Sequence, residues 1–271
     1  MVVIISIELK SANPNAEKAA SENPFSQYRE IVKKNLSNVG KVIAVHSGKG
    51  GVGKSTFSVN LAAFLAQKGF SSGLLDADID CPSCNKMFGI TERIKSVDGK
   101  FVPIEAFGVK VISAGNMVAN SDEANVMRGP MMFKLIFELL AKTDWGSLDY
   151  LIIDLPPGTG DNPLTVMQLA PLYGIVVVTQ PQEVAVVDAK KSVNMAAKTN
   201  IPVIGIVENM FGTIFGSGGA ENAADSLEIS FLGKIPLEQS IRESSDAGIP
   251  DVIKNKKLAG IFDSIISEAA I

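Results

Sequence analysis

Cysteine is scarce in this 271-residue sequence: only Cys81 and Cys84 occur, whereas a secreted domain stabilised by disulfides would carry more. No apolar run approaches the ~18 residues that span a bilayer. Residues 1–7 also lack the basic region and the small-residue cleavage site of a signal peptide. Excess positive charge is missing as well, because 25 basic and 29 acidic residues give a net charge of −4. These absences predict a cytoplasmic protein with no stable membrane insertion and no nucleic-acid partner.

Short apolar, β-branched segments without polar alternation are separated by segments with helical periodicity. Buried strands separated by helices indicate a parallel sheet covered on both faces. The predicted fold class is therefore α/β, a single doubly wound and mainly parallel sheet with helices on both faces. The predicted strands are 42–46, 73–75, 109–113, 148–153, 175–179, 203–207 and 231–235, and the predicted helices are 25–36, 56–68, 130–142, 183–199 and 258–269. Residues 91–108 are expected to be irregular, with a short hairpin around Asp98-Gly99. Residues 1–24 are predicted to be a mobile segment before one domain at 25–271.

A glycine-rich segment follows the first predicted strand: Gly48-Lys49-Gly50-Gly51-Val52-Gly53-Lys54-Ser55-Thr56, which matches the phosphate-binding pattern G-x-x-x-x-G-K-[ST]. We expect its four glycines to adopt positive φ and to bring backbone N–H groups against phosphate oxygens at a helix N-terminus. Lys54 is predicted to reach the outer phosphates, and the Ser55 hydroxyl to ligate Mg²⁺. The segment as a whole predicts a site for a nucleoside triphosphate.

Carboxylates follow two other predicted strands, at the edge of the sheet where ligands bind in this architecture. Asp154 ends the strand at 148–153, where a P-loop protein places the carboxylate that holds Mg²⁺. Asp76 and Asp78 end the second strand, where a carboxylate can hold a Mg²⁺-bound water or orient the attacking water. The alternative for these aspartates is that they cap turns and helices. The loop 155–161 is bounded by proline and glycine and is a candidate sensor of the γ-phosphate.

Two further polar residues belong to predicted strands or their ends. Asn209 follows the strand at 203–207, and its amide can form two hydrogen bonds to the N6/N7 edge of adenine. The absence of an N-K-x-D guanine signature favours ATP, although a turn asparagine is an alternative explanation of Asn209. His46 lies inside a core strand and is predicted to be a buried core residue rather than a catalytic one.

With Lys49 directly after its first glycine, the glycine-rich segment resembles the deviant P-loop ATPases, which include ParA, MinD and the nitrogenase iron protein. Four segments are similar to the Mrp/ApbC branch of that group: Asp-Ala-Asp-Ile-x-x-Pro-Ser at 76–83, Met-Arg-Gly-Pro at 127–130, the run 149–161, and Glu-Asn-Met at 208–210. The resemblance extends from about residue 41 to residue 235. It implies a homodimeric, slowly hydrolysing Mg²⁺-ATPase that carries iron–sulfur clusters to apo-proteins. By the same resemblance, Lys49 would contact phosphate across the dimer, Asp78 would position water, and Asn209 would bind adenine.

The cysteines depart from this branch. The family usually carries C-x-x-C shortly after Glu-Asn-Met, but residues 211–219 contain no cysteine here. Cys81 and Cys84 instead form C-x-x-C directly after the second predicted strand. Our hypothesis is a relocated site at which two subunits together bind one [4Fe-4S] cluster. The alternatives are a zinc site, a redox dithiol, or two small buried residues.

Two other functions are compatible with a P-loop. The first is a MinD/ParA-like positioning or regulatory switch without a cluster, which would bind a surface or a partner. Its C-terminal helix would be the membrane element, but that helix has little positive charge beyond its start, which favours core packing. The second is a metabolic kinase, for which no acceptor-substrate motif is evident.

Overall fold

The computed structural model describes residues 24–117 and 129–271. Residues 1–23 of the predicted N-terminal segment lie outside these ranges, as do residues 127 and 128 of the Met-Arg-Gly-Pro motif. The predicted mobility of that segment and the domain boundary at residue 25 stay predictions.

Eight strands of the described residues join one sheet. They are β1 (Val39–His46), β2 (Ser72–Asp76), β5 (Ile104–Ala106), β6 (Val109–Ser113), β7 (Leu148–Asp154), β8 (Gly174–Thr179), β9 (Val203–Phe211) and β10 (Phe231–Pro236). Their order across the sheet is β10-β9-β8-β1-β7-β2-β6-β5, and β3 (Lys95–Val97) and β4 (Lys100–Val102) form a separate hairpin. Every pair in the large sheet is parallel except β5 with β6.

Helices cover both faces of this sheet. They are α1 (Pro24–Asn35), α2 (Lys54–Gln67), α3 (Cys84–Met87), α4 (Gly129–Lys142), α5 (Asp161–Leu169), α6 (Glu183–Lys198), α7 (Gly219–Leu227), α8 (Gln239–Asp246) and α9 (Lys256–Ala269). Successive side chains of a strand point to opposite faces, so the apolar strand β1 supplies two cores. Val42 and Ala44 pack on the side of α1, α4, α5, α6 and α7, whereas Ile43 and Val45 pack with α2 and α9.

The predicted fold class is confirmed by this topology. The hairpin around Asp98-Gly99 is present, but the region 91–108 also contains β5, which was not predicted. The strand predicted at 203–207 continues to Phe211, because β10 pairs with it as far as that residue. Asn209 therefore lies within β9 and does not follow it. The helices α3, α5, α7 and α8 were missed, since they are no longer than nine residues and offer too few turns for apolar periodicity.

No helix among residues 24–117 and 129–271 combines the length and the apolar character that crossing a bilayer requires.

Candidate functional site

The glycine-rich segment connects β1 to α2, as the sequence predicts, but its glycines serve different purposes. Only Gly51 (φ +80°) and Gly53 (φ +84°) adopt positive φ. A Cβ on Gly48 would lie 2.1 Å from the backbone oxygen of Asp188 in α6, so this glycine allows a close approach of two backbones. Gly50 has open space around it. The expectation of positive φ at all four glycines was therefore wrong for Gly48 and Gly50.

Lys54, Ser55 and Asp154 are brought together where α2 begins and β7 ends. The Lys54 ammonium forms a buried ion pair with Asp154 Oδ2 at 2.8 Å. The Ser55 hydroxyl donates to the same oxygen at 2.6 Å, and the Ser58 hydroxyl donates to Oδ1 at 2.7 Å. Burial alone would lower the pKa of Lys54, but the neighbouring Asp154 carboxylate outweighs it and raises that pKa. The amine is therefore charged and is held at the start of α2.

This arrangement fits Mg²⁺. The ion prefers oxygen ligands in octahedral geometry and usually binds one or two carboxylates together with substrate phosphates. Ser55 and Asp154 present adjacent hard oxygens, and Asp76 lies beside Asp154 in the sheet register. These three residues are the ones that would hold the ion.

Asp76 ends β2 as a fully buried carboxylate. Its Oδ2 accepts hydrogen bonds from the backbone N–H groups of Ser83 and Cys84 at 3.0 and 3.1 Å, and from the Ser113 hydroxyl at 3.0 Å. Burial, followed by the negative charge of Asp154, raises the pKa of Asp76 to about 7. Asp76 thus fixes the segment that leads into α3 while sharing a buried site with a second carboxylate.

Asp78 and Lys49 are the two other charged residues that the sequence assigns to the site. Asp78 is buried, accepts the Cys81 N–H at 3.3 Å, and has its pKa raised by burial. Lys49 is half-buried, and its ammonium forms no ion pair with any described residue.

Asn209 lies against the phosphate-binding segment. Its Nδ2 donates to the Val52 carbonyl at 2.8 Å, and a Cβ on Gly53 would lie 2.1 Å from that nitrogen. The side chain also lines a cavity of about 210 Å³, which Thr56, Pro236, Leu237, Ile241 and Arg242 help to form. The structure therefore brings Asn209 to both the phosphate-binding segment and an adjoining cavity with apolar walls.

Four polar residues of this region were missed by sequence reasoning: Ser58, Ser113, Gln180 and Glu208. Gln180 donates to the Gly51 carbonyl at 3.3 Å. Glu208 is fully buried and accepts the N–H groups of Gly218 and Ala220, so it caps the N-terminus of α7. Ser58 had a sequence signal, since it lies one turn after Lys54 on the same helix. Glu208 belongs to the Glu-Asn-Met motif, but that motif did not indicate its capping role.

The two cysteines differ in environment. Cys81 is exposed, whereas Cys84 is fully buried and its thiol donates to Asp154 Oδ2 at 3.6 Å. Burial, followed by the charges of Asp76 and Asp154, raises the pKa of the Cys84 thiol well above its usual value. This conformation does not present both thiols on one surface. A cluster shared between subunits stays a prediction, which requires Cys84 to leave Asp154.

His46 is fully buried at the end of β1. Burial and then the Lys54 charge lower the pKa of His46 to about 4, so the ring is neutral at physiological pH. This agrees with a core histidine.

These features together define a P-loop nucleotide-binding protein. They are a strand, a glycine-rich loop and a helix in succession, a lysine that forms an ion pair with a buried aspartate, and acidic residues at the ends of neighbouring strands. The family model for ParA-type NUBPL iron-transfer P-loop NTPases matches residues 38–270. This chain belongs to that family, and the resemblance found in its motifs is confirmed.

Known relatives agree with this assignment. An iron–sulfur cluster carrier protein of Methanocaldococcus jannaschii is 44% identical over 255 residues, which cover 89% of this chain and 88% of that protein. A nucleotide-binding protein from Archaeoglobus fulgidus was solved in complex with ADP, and cobalt was found in it. It is 38% identical to this chain with a TM-score of 0.73, and the match covers 84% of this chain and 94% of that chain.

The cell-division ATPase MinD of Pyrococcus furiosus has a TM-score of 0.67 but only 22% identity, over 85% of this chain and 98% of that chain. That likeness shows the fold alone. The comparisons therefore favour the iron-transfer family over the MinD-like alternative.

Proposed function

We propose that this protein is a homodimeric ATPase that binds Mg²⁺-ATP, hydrolyses it slowly, and acts in iron–sulfur cluster assembly or transfer. The observation that carries the ATPase part is the contact of Lys54 and Ser55 with Asp154, at 2.8 and 2.6 Å, beside the glycine-rich segment. The cytoplasmic location expected from the sequence is part of this proposal.

In the proposed complex, residues 48–56 surround the phosphates, and Lys54 exchanges its Asp154 partner for phosphate oxygens. Mg²⁺ bound by Ser55, Asp154 and Asp76 would neutralise charge on the β- and γ-phosphates. Asp78 would position the attacking water. The 210 Å³ cavity beside Asn209 would take adenine, because its apolar walls suit a flat ring and the Asn209 amide supplies polar contacts.

Lys49 is the residue that we assign to the partner subunit's nucleotide. Its ammonium has no ion-pair partner among the described residues and belongs to the segment that would hold phosphate. A charge placed there can stabilise a transition state in a second active site, as an arginine finger does.

The cluster part of the proposal is supported by family membership and by relatives that are named iron–sulfur cluster carriers. Clients would be apo iron–sulfur proteins or assembly proteins. Residues 211–219 lack the usual C-x-x-C, so a cluster bound by this chain would have to use Cys81 and Cys84 from two subunits.

The experiment is to measure binding of a fluorescent ATP analogue and release of phosphate with Mg²⁺ present. Lys54→Ala should abolish tight binding, whereas Lys49→Ala should keep binding but reduce hydrolysis by at least about 100-fold. Lys142→Ala, at an exposed lysine paired with Glu138, serves as the matched control and should behave as wild type. A wild-type protein that neither binds nor hydrolyses ATP would refute the proposal, and full hydrolysis by Lys49→Ala would refute the cross-subunit role.

A further inference from the structure

A thiol lies at the metal position of the nucleotide site. Cys84 Sγ, one carboxylate oxygen of Asp76 and one of Asp154 all lie within 4.8 Å of one another, and all three side chains are buried. Ser55 and Asp154 alone would form a site of hard oxygen donors. The Cys84 sulfur adds a soft donor to it.

Backbone hydrogen bonds hold Cys84 beside the two carboxylates. Asp76 Oδ2 accepts the N–H groups of both Ser83 and Cys84, at 3.0 and 3.1 Å. The chain after β2 is thereby folded over the Asp76 carboxylate, and α3 begins at Cys84. From this position, the Cys84 Sγ lies 3.6 Å from Asp154 Oδ2.

The chemistry of these donor atoms determines which metal ions the site prefers. Mg²⁺ takes oxygen ligands, whereas thiolates select softer ions such as Zn²⁺ and iron. A tetrahedral ion with bonds of about 2.3 Å to sulfur and about 2.0 Å to oxygen separates those two ligands by about 3.5 Å. The observed distance of 3.6 Å between Cys84 Sγ and Asp154 Oδ2 matches that separation.

We propose that Cys84 makes this position a binding site for a thiophilic divalent cation, such as Zn²⁺, Co²⁺ or Fe²⁺, in the nucleotide-free protein. Asp76 and Asp154 complete the three protein ligands. On binding, the metal–sulfur bond forms as the S–H bond breaks, and that proton, with any proton on the Asp76 carboxyl, goes to solvent. Three anionic ligands, a divalent ion and the Lys54 ammonium then sum to zero charge.

The inference rests on the proposed function in one respect: it assumes that the Asp154 carboxylate is a Mg²⁺ ligand. It deepens that function by adding a second kind of metal ion to the same site. A thiophilic ion and Mg²⁺-ATP would need the same Asp154 oxygens. Binding of either would therefore weaken binding of the other, which links a soft metal to the nucleotide cycle.

The test is an anaerobic titration of nucleotide-free, chelator-treated protein with Co²⁺, followed by absorption and by equilibrium dialysis. Wild type should bind one Co²⁺ per chain and show a thiolate-to-cobalt charge-transfer band in the near ultraviolet. Cys84→Ser should lose the band and bind Co²⁺ at least about tenfold more weakly. Cys81→Ser, at the exposed cysteine, is the matched control and should keep both the band and the affinity.

Cys84→Ala provides a second variant if the serine variant does not fold, and thermal unfolding verifies the fold of each. The inference is overturned if wild type shows no band, if Cys84→Ser or Cys84→Ala keeps it, or if Cys81→Ser loses it equally. Equal loss would assign the metal to the C-x-x-C pair. Binding of a fluorescent ATP analogue is measured on the same preparation, so a failure of the nucleotide site is distinguished from a failure of the metal site.

Discussion

Replacing Asp154 with asparagine should strongly destabilise the nucleotide-free protein, because it leaves the Lys54 ammonium buried without its counter-charge. The two side chains are 6% and 0% exposed, and their charged atoms are 2.8 Å apart. Removing one partner of a buried ion pair costs about 3–5 kcal/mol. The Asp76 carboxylate also attracts Lys54 and compensates in part. We therefore expect the free energy of unfolding to fall by about 3 kcal/mol, at the lower end of that range.

A double-mutant cycle isolates the ion pair from other effects of the substitution. Lys54→Met alone leaves Asp154 charged and buried, although the hydroxyls of Ser55 and Ser58 still donate to it. The double variant removes both charges, so its loss of stability should be smaller than the sum of the losses of the two single variants. We expect a coupling of about 2 kcal/mol, within the range found for contacting residues.

Urea unfolding followed by tryptophan fluorescence gives all four free energies. Trp145 is the only tryptophan of the chain and is 1% exposed, so its emission reports loss of the core. The measurements are made at neutral pH with chelator and without nucleotide. If the stability losses of the two single variants sum to within about 0.5 kcal/mol of the loss of the double variant, the Lys54–Asp154 charge pair does not stabilise the fold as argued.

Three further predictions concern Asp76, Gly53 and Glu208. Because Asp76 holds its proton more tightly when folded (pKa about 7 against 3.8), the folded state gains stability from it at low pH and loses that gain as pH rises through 7. The stability of wild type relative to Asp76→Asn should therefore fall between about pH 4 and pH 7 and then level off, as measured by urea unfolding of both proteins. Equal pH dependence of the two proteins would contradict this. Gly53→Ala should cost about 2 kcal/mol and weaken ATP binding, because φ is +84° and a Cβ would contact Asn209. Gly50→Ala, at a glycine with open space around it, is the control for the stability measurement alone and should stay within about 0.5 kcal/mol of wild type. Glu208→Gln should cost about 1–2 kcal/mol and speed proteolysis within 211–218, since it weakens the cap of α7; an unchanged cleavage rate would refute that role.

Local sequence was sufficient for the central residues of the site. Lys54 and Ser55 belong to a contiguous motif, and Asp154 ends an apolar strand, so their meeting at one position follows from neighbours in the chain. Ser113 and Glu208 could not be found in this way. Ser113 reaches Asp76 because β6 pairs with β2, and Glu208 caps a helix that begins eleven residues later. Such contacts depend on which strands become neighbours, which no local pattern specifies.

The two cysteines are a further case in which local sequence could not predict the contacts of a residue. Their spacing suggests two equivalent thiols, and an argument from spacing alone treats them as a pair. The fold makes them unequal, because Asp76 binds the backbone at Ser83 and Cys84 while Cys81 stays exposed. Cys84 then becomes one of four donors to Asp154, with Lys54, Ser55 and Ser58. If phosphate draws Lys54 away and Mg²⁺ takes the Ser55 hydroxyl and one Asp154 oxygen, the hydrogen bonds from Ser58 and Cys84 are the two of these four that remain to Asp154. The segment from Asp76 to Cys84 is thus coupled to the occupancy of the nucleotide site through a single carboxylate.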